Sequence, residues 1–306
     1  MSAPDPSAAA GSAPDRWIVI EVPAPPDEDR AALLIDELAT LVGHGVEERG
    51  DRILAYLPDP GDGGDRILEE LRARLGDVDN GAALTHRFQP HEAWDEIWRE
   101  GLAPRRVTPR IVVSPTWEDP PLEPGDILIS IDPGMAFGTA EHPTTRGVLR
   151  LMDGLVEPGD RIADVGAGSG ILSIAAALLG ADRVVALEMD RWSCAAAREN
   201  VVANGVADRV EVRHEAADAV FLPDEPSFDG ILANIECGVL SPLLPGFYGG
   251  LEPGGWLIAS GILHHERDAF IADARDAGFT LVSEDREETW WSGLLRHRRP
   301  GRPDAS

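Results

Sequence analysis

The sequence contains no lysine: all 27 of its basic residues are arginine, set against 54 acidic residues in a chain of 306, for a formal net charge of −27. Without a lysine amine, neither P-loop nor Schiff-base chemistry is available. A chain this acidic repels a phosphate backbone, so direct nucleic-acid binding and an anionic-membrane surface are both disfavoured. Cysteine is almost as scarce. Cys194 and Cys237 are the two in the chain, too few for a disulfide framework, and both read as free thiols of a cytoplasmic protein. Long apolar runs are missing as well: the longest, residues 171–179, falls far short of the ~20 residues that span a bilayer. Residues 1–14 are rich in Ala, Pro and Ser, with no basic segment and no apolar segment, so they read as a tail rather than a signal peptide. Residues 301–306 read as a second tail.

What is present is 43% hydrophobic, enough for a substantial core and, at ~150 residues per domain, about two domains. Trp17 opens a strand, residues 27–41 place Leu33, Leu34, Leu38 and Leu41 at helical spacing, and residues 52–57 read as strand again. A second amphipathic helix over 67–75 and a strand over 82–88 complete a compact α+β domain of split βαβ, ferredoxin-like type, bounded at 15–88. Residues 1–80 hold 18 acids and 7 arginines, net −11, which suits either a solvated face or a surface for a cationic partner. Residues 89–108 read as a linker helix, with Trp94 and Trp98 one turn apart. A larger domain, 109–300, follows and opens on a strand at 110–113.

The most informative segment lies within it. A buried strand at 162–165 enters Gly166-Ala167-Gly168-Ser169-Gly170, a helix runs to Leu179 with Gly180 as its cap, and a second strand at 184–187 ends on Glu188. The glycines let a ligand approach the backbone where a Cβ would collide, and Glu188 is placed to accept ribose hydroxyl hydrogens. A dinucleotide fingerprint would require Gly or Ala at 171, where this chain has Ile171. Asp164, two residues before the first glycine, would suit a cationic amino-acid end and oppose a pyrophosphate. Both features select S-adenosylmethionine over NAD. Further strands are expected at 210–213, 228–233, ending on Asn234, and 255–260, with an antiparallel pair at 279–283 and 290–295: an α/β, seven-stranded, Rossmann-like order. Asp218 stands where an acid could accept from an adenine amino group, or merely close a loop.

The stretch Asp132-Pro133-Gly134-Met135-Ala136-Phe137-Gly138-Thr139-Ala140-Glu141-His142-Pro143-Thr144-Thr145 resembles the signature of the PrmA family, methyltransferases of the large-subunit ribosomal protein L11. Trp94 and Trp98, the strand leading to Trp117, Ala233-Asn234-Ile235, a turn at Ser260-Gly261-Ile262-Leu263 and Trp290 extend the likeness. The resemblance implies a class I S-adenosylmethionine-dependent domain preceded by a substrate-recognition domain, with a basic, lysine-bearing ribosomal protein as partner. It places cofactor contacts on Thr145, Gly166, Glu188 and Asn234. Glu188 replaces the family's usual Asp, Ala140 replaces a glycine, and Glu236-Cys237 follow Asn234-Ile235 where Leu-Ala is usual.

Methyl transfer to an amine is chiefly a positioning task, needing a neutral lone pair about 3 Å from the methyl carbon and no metal. A free lysine amine, with pKa near ~10.4, must first lose a proton, and apolar surroundings favour that loss. The expected transfer site is therefore Asn234, orienting the amine, with Phe137 and Ile235 desolvating it. Glu236 would either attract the cation or start a helix. His142, followed by Pro143 and a helix beginning near Thr144, could act as a general base or fix the loop that covers the cofactor. His264, His265 and Glu266 are neighbours in sequence and point in different directions, so no metal is predicted. The expected state is a monomer.

Overall fold

The computed structural model describes residues 16–25, 34, 38, 46–49, 52–58, 84–90, 102–132, 138–216 and 227–297. The chain divides into two compact units, Met1–Gly101 and Leu102–Ser306.

In the first unit, strands β1 (Arg16–Pro23), β2 (Val46–Arg49), β3 (Arg52–Pro58) and β4 (Thr85–Pro90) form one sheet in the order β2-β3-β1-β4. All neighbouring strands are antiparallel. Alternation in β1 sends Ile18, Ile20 and Val22 to one face, where they pack with Ile53, Ala55 and the helical residues Leu34 and Leu38. Leu34 and Leu38, four apart, share one helix face, as the leucine spacing predicts. β2 is not foreseen, because its sequence Val-Glu-Glu-Arg carries no apolar alternation. The expected helix at 67–75 lies outside the described residues, as do 91–101 of the expected linker helix. The ends of that linker are strand instead: Gln89 and Pro90 close β4, while Arg105 and Arg106 form a strand of the second unit.

The second unit begins with a small sheet, β5 (Arg105–Arg106), β6 (Ile111–Pro115) and β7 (Ile127–Ile131), in that order. A seven-stranded sheet follows, built from β8 (Arg161–Val165), β9 (Arg183–Glu188), β10 (Val210–His214), β11 (Phe228–Asn234), β12 (Leu251–Leu263), β13 (Phe279–Glu287) and β14 (Trp290–His297). Its order is β10-β9-β8-β11-β12-β14-β13, parallel except for β14, which runs against both neighbours. Helices α1 (Pro143–Met152), α2 (Ile171–Leu179), α3 (Arg191–Ala203), α4 (Cys237–Gly250) and α5 (Arg267–Asp276) cover the two faces. On one face Val148, Leu149, Ile171, Ile174 and Val201 from α1, α2 and α3 share a core with the small sheet. On the other, Leu240, Leu244, Phe247 and Phe270 from α4 and α5 pack on Val185, Ile231 and Leu257. Burial on both faces is why the central strands read as unbroken apolar runs.

This order has a consequence for the site. The chain winds outward from β8 to β10, then crosses to β11 on the other side of β8, so β8 and β11 flank a switch point. A crevice opens there beyond the carboxyl ends of the strands.

One expectation needs correction. Ser260-Gly261-Ile262-Leu263 is not a turn after a strand at 255–260. It is the end of the thirteen-residue β12, whose pairing with β14 shifts register between Ala259 and Ile262. The shift falls at Gly261, whose φ of +82° lies in the left-handed region.

Candidate active site

β8 delivers Asp164 and then the glycine loop to the switch point. Gly166, Gly168 and Gly170 adopt φ of +73°, +54° and +83°, so all three are favoured by backbone conformation, and Gly166 by clearance as well. The N–H groups of Gly166 and Ala167 both donate to the Leu187 carbonyl, at 2.9 and 3.0 Å, which folds the loop back over the end of β9. Glu188, the last residue of β9, accepts from Gly168 N–H through Oε2 at 2.8 Å and from Asp190 N–H through Oε1 at 2.9 Å. Each carboxylate oxygen keeps a lone pair for a further donor. The acid expected to face a ribose therefore also holds the loop in shape.

Asp164 is fully buried. Its Oδ2 accepts from Ser173 Oγ at 2.6 Å, whereas Oδ1 has no hydrogen-bond partner. Burial pushes its carboxyl up to about 6, outweighing the Ser173 hydrogen bond, and the nearby Glu188 charge adds in the same direction. Thr145, in the first turn of α1, is also fully buried, and its Oγ1 is likewise without a partner. Buried polar atoms are nearly always paired, so each of these oxygens is open to a donor from a ligand.

Asn234 ends β11, level with Ser260 of β12. The next residue, Ile235, sits between two glycines: a Cβ on Gly166 would fall 2.4 Å from Ile235 Cγ2, and one on Gly261 would fall 2.4 Å from the Ile235 carbonyl oxygen. The structure thus brings the expected transfer loop onto the first glycine of the expected cofactor loop. Glu236 is the exposed N-cap of α4, with no side-chain cap hydrogen bond. Phe137 and Asp218 lie outside the described residues.

His142 is the N-cap of α1, with Nδ1 accepting from Thr144 N–H at 3.4 Å and lying 2.6 Å from Thr144 Oγ1. Its ring meets Trp290 edge-on at 5.0 Å. Burial, and then the Arg146 charge, lower its pKa, with the Glu288 charge opposing them. His264 and His265 are exposed, and among the described residues no three His, Cys, Asp or Glu side chains gather as a metal ion would need.

Three residues of the site went unread in the sequence. Arg146, buried, donates to the carbonyls of Ala140 and Glu141 at 2.8 and 2.5 Å and pairs with Glu287 at 2.6 Å. Ser169 and Asn200, also buried, hydrogen-bond across the glycine loop. The only available signal was compositional, since a polar side chain on the apolar-facing side of an element calls for a partner.

Residues 33–298 match the family model described as Ribosomal protein L11 methyltransferase (PrmA). The chain belongs to the PrmA family. A ribosomal protein L11 methyltransferase of Pelotomaculum thermopropionicum is 40% identical over 241 residues, covering 78% of this chain and 77% of that one. That of Geobacter metallireducens is 44% identical over 226 residues, covering 74% and 73%. Among solved structures, the ribosomal protein L11 methylase of Lactobacillus delbrueckii subsp. bulgaricus matches with a TM-score of 0.58 and 30% identity, over 64% of this chain and all of that one. Membership in a methyltransferase family with this fold implies S-adenosylmethionine as methyl donor. The residues fit it: Glu188 retains acceptor capacity, and Asp164 Oδ1 and Thr145 Oγ1 are buried acceptors without donors.

Proposed function

We propose that this protein transfers methyl groups from S-adenosylmethionine to amino groups, a lysine ε-amine or an N-terminal α-amine, of ribosomal protein L11. The observation that carries the donor assignment is Asp164 Oδ1, a fully buried carboxylate oxygen with no partner beside the glycine loop. An anion buried in this way is stabilised by a cation, and S-adenosylmethionine offers one in its amino-acid end. The acceptor assignment follows the relatives named above.

When bound, S-adenosylmethionine supplies an electrophilic methyl on a sulfonium; the chain supplies everything else. Asp164 accepts from the ammonium and Thr145 contributes its free hydroxyl. Glu188 accepts ribose hydroxyl hydrogens with its remaining lone pairs, and Asp218 accepts from the adenine amino group. Gly166, Gly168 and Gly170 leave space for the ligand. Asn234 orients the incoming amine, and Ile235 and Phe137 exclude water around it. Exclusion of water favours the neutral amine over the ammonium of a lysine whose free pKa is about 10.4. Glu236 holds the ammonium at the rim until its proton passes to solvent.

The N-terminal unit is read as a ferredoxin-like recognition domain whose last strand runs to Pro90, and the catalytic domain as the unit that begins at Leu102. The strand order β2-β3-β1-β4 with antiparallel neighbours supports that fold, since it places the two crossover-linked strand pairs in a split βαβ arrangement. Its excess of acids suits a lysine-bearing, basic partner. Free Cys194 and Cys237 suit the reducing cytoplasm.

The test is to incubate the protein with isotopically labelled S-adenosylmethionine and dissociated ribosomal proteins, then locate the label by mass spectrometry. Label should appear on L11 amines, and Asn234→Ala should abolish most of it at saturating donor. Label on RNA or metabolites instead of protein would overturn the assignment.

A further inference from the structure

β7 pairs with β6 on one side only, and on its other side two side chains of α3 stand in for a strand. Asn204 accepts from Ser130 N–H through Oδ1 at 2.9 Å and donates to the Ser130 carbonyl at 2.6 Å. One turn earlier, Asn200 repeats the pattern on Asp132, accepting from its N–H and donating to its carbonyl, both at 2.9 Å. Residues four apart on a helix and two apart on a strand lie on the same side of each element, so the two asparagines form a ladder.

The two differ in where the second Nδ2 hydrogen goes: Asn204 donates it to the Asn200 carbonyl at 2.8 Å, and Asn200 donates it to the Ser169 carbonyl in the glycine loop at 2.9 Å. Ser169 in turn donates its hydroxyl to the Gly138 carbonyl at 2.5 Å. Asp132 and Gly138 begin the family signature and close its first half. Both are therefore fastened to one buried point, and that point is the middle of the glycine loop. On the other flank of the same loop, Glu188 holds Gly168 N–H at 2.8 Å. Asn200 is 2% exposed and Ser169 fully buried, so the hydrogen bond between them is shielded from water.

We propose that Asn200 and Ser169 form a positioning node, which fixes the glycine loop and both anchor points of the signature segment in the geometry that receives the methyl donor. Neither side chain touches the reacting atoms in this account. Their work is done in advance of binding, since a loop held in place loses little freedom when the ligand arrives, while an untethered one must be ordered at that moment. The inference rests on the methyl-donor assignment above.

Asn204, the C-cap of α3, provides the comparison, because it makes the same strand-like contacts and its side chain bonds the Asn200 backbone rather than the loop. Affinity for S-adenosylmethionine would be read by calorimetry, and thermal midpoints by scanning, for Asn200→Ala, Ser169→Ala, their combination and Asn204→Ala. Asn200→Ala and Ser169→Ala should each weaken donor binding about tenfold. The double variant should lose less than the product of the two, because one node is being broken. Turnover at saturating donor should stay within about threefold of wild type, and Asn204→Ala should lower the midpoint while leaving affinity within about twofold. Should Asn200→Ala fail to fold, Ser169→Ala decides alone. Normal donor affinity in folded Ser169→Ala and Asn200→Ala would overturn the node, as would an equal loss in Asn204→Ala. Absence of binding by the wild-type protein would instead remove the donor assignment, and the node with it.

Discussion

Asp164→Asn should move stability and affinity in opposite directions, with a pH signature that identifies the cause. The carboxyl titrates at about 6 in the folded chain against an ordinary 3.8, because it is fully buried with one oxygen unpartnered. Between those two values the native state holds a proton that the unfolded state has already lost. Stability therefore falls as pH rises through the window, and the full cost persists above about 6. Raising the carboxyl from 3.8 to about 6 corresponds to roughly 3 kcal/mol. More than half of that cost is already present at about pH 5, and the rest, on the order of 1 kcal/mol, accrues as pH rises to about 7.5.

An amide does not titrate, so this pH-dependent part vanishes in Asp164→Asn. Urea denaturation of the donor-free protein should show the stability of the variant relative to wild type improving by on the order of 1 kcal/mol from about pH 5 to about pH 7.5. The constant offset between the two is a separate matter, since the amide brings a buried N–H group of its own. Calorimetry should show the reverse for the ligand. Wild-type affinity for S-adenosylmethionine weakens as pH falls below about 6 and the carboxyl protonates, while the variant binds weakly throughout. Parallel stability curves across the range, or donor affinity unchanged in the variant, would refute the idea that burial of this charge is maintained for a cationic ligand.

Gly166→Ala combines a φ of +73° with a Cβ placed 2.4 Å from Ile235 Cγ2. The backbone strain alone is about 1–3 kcal/mol, so calorimetry should show donor affinity reduced about tenfold or more. Adding Ile235→Ala removes the collision, and the double variant should recover part of the loss; no recovery would mean that the two loops do not meet as described. Arg146→Ala strips a buried guanidinium from Glu287 and from the carbonyls of Ala140 and Glu141. Breaking such a pair from one side should cost about 3 kcal/mol, read as a lower urea midpoint, and a change under about 1 kcal/mol would show that the pair contributes little.

The sequence made local features legible. The strand, glycine loop, helix and strand from Arg161 to Glu188 were readable because each piece is specified by neighbours: apolar runs for strands buried on both faces, glycines for left-handed turns, Gly180 to stop a helix. Short or unpatterned elements were not. β5 is two residues long, β2 is mostly charged, and α4 carries Pro242 and Pro245 inside an apolar stretch, which masks its helical period.

What escaped the sequence most completely was the second half of each long-range pair. Gly166 is visibly a loop glycine, but the reason it tolerates no Cβ is Ile235, which only the parallel pairing of β8 with β11 brings near. Asn200 looks like an unremarkable polar residue in a helix, since its partners Asp132 and Ser169 lie 68 and 31 positions away. The same holds for Arg146 and Glu287, separated by 141. A motif records the residues a ligand demands at one place in the chain. The groups that hold the motif in shape answer to the fold, so they fall wherever the topology happens to return. For this chain, the transfer residue named from sequence and the supporting residues named from structure should separate in experiment: loss of Asn234 should remove most turnover at saturating donor, and loss of Asn200 or Ser169 should weaken binding with turnover at saturation largely kept.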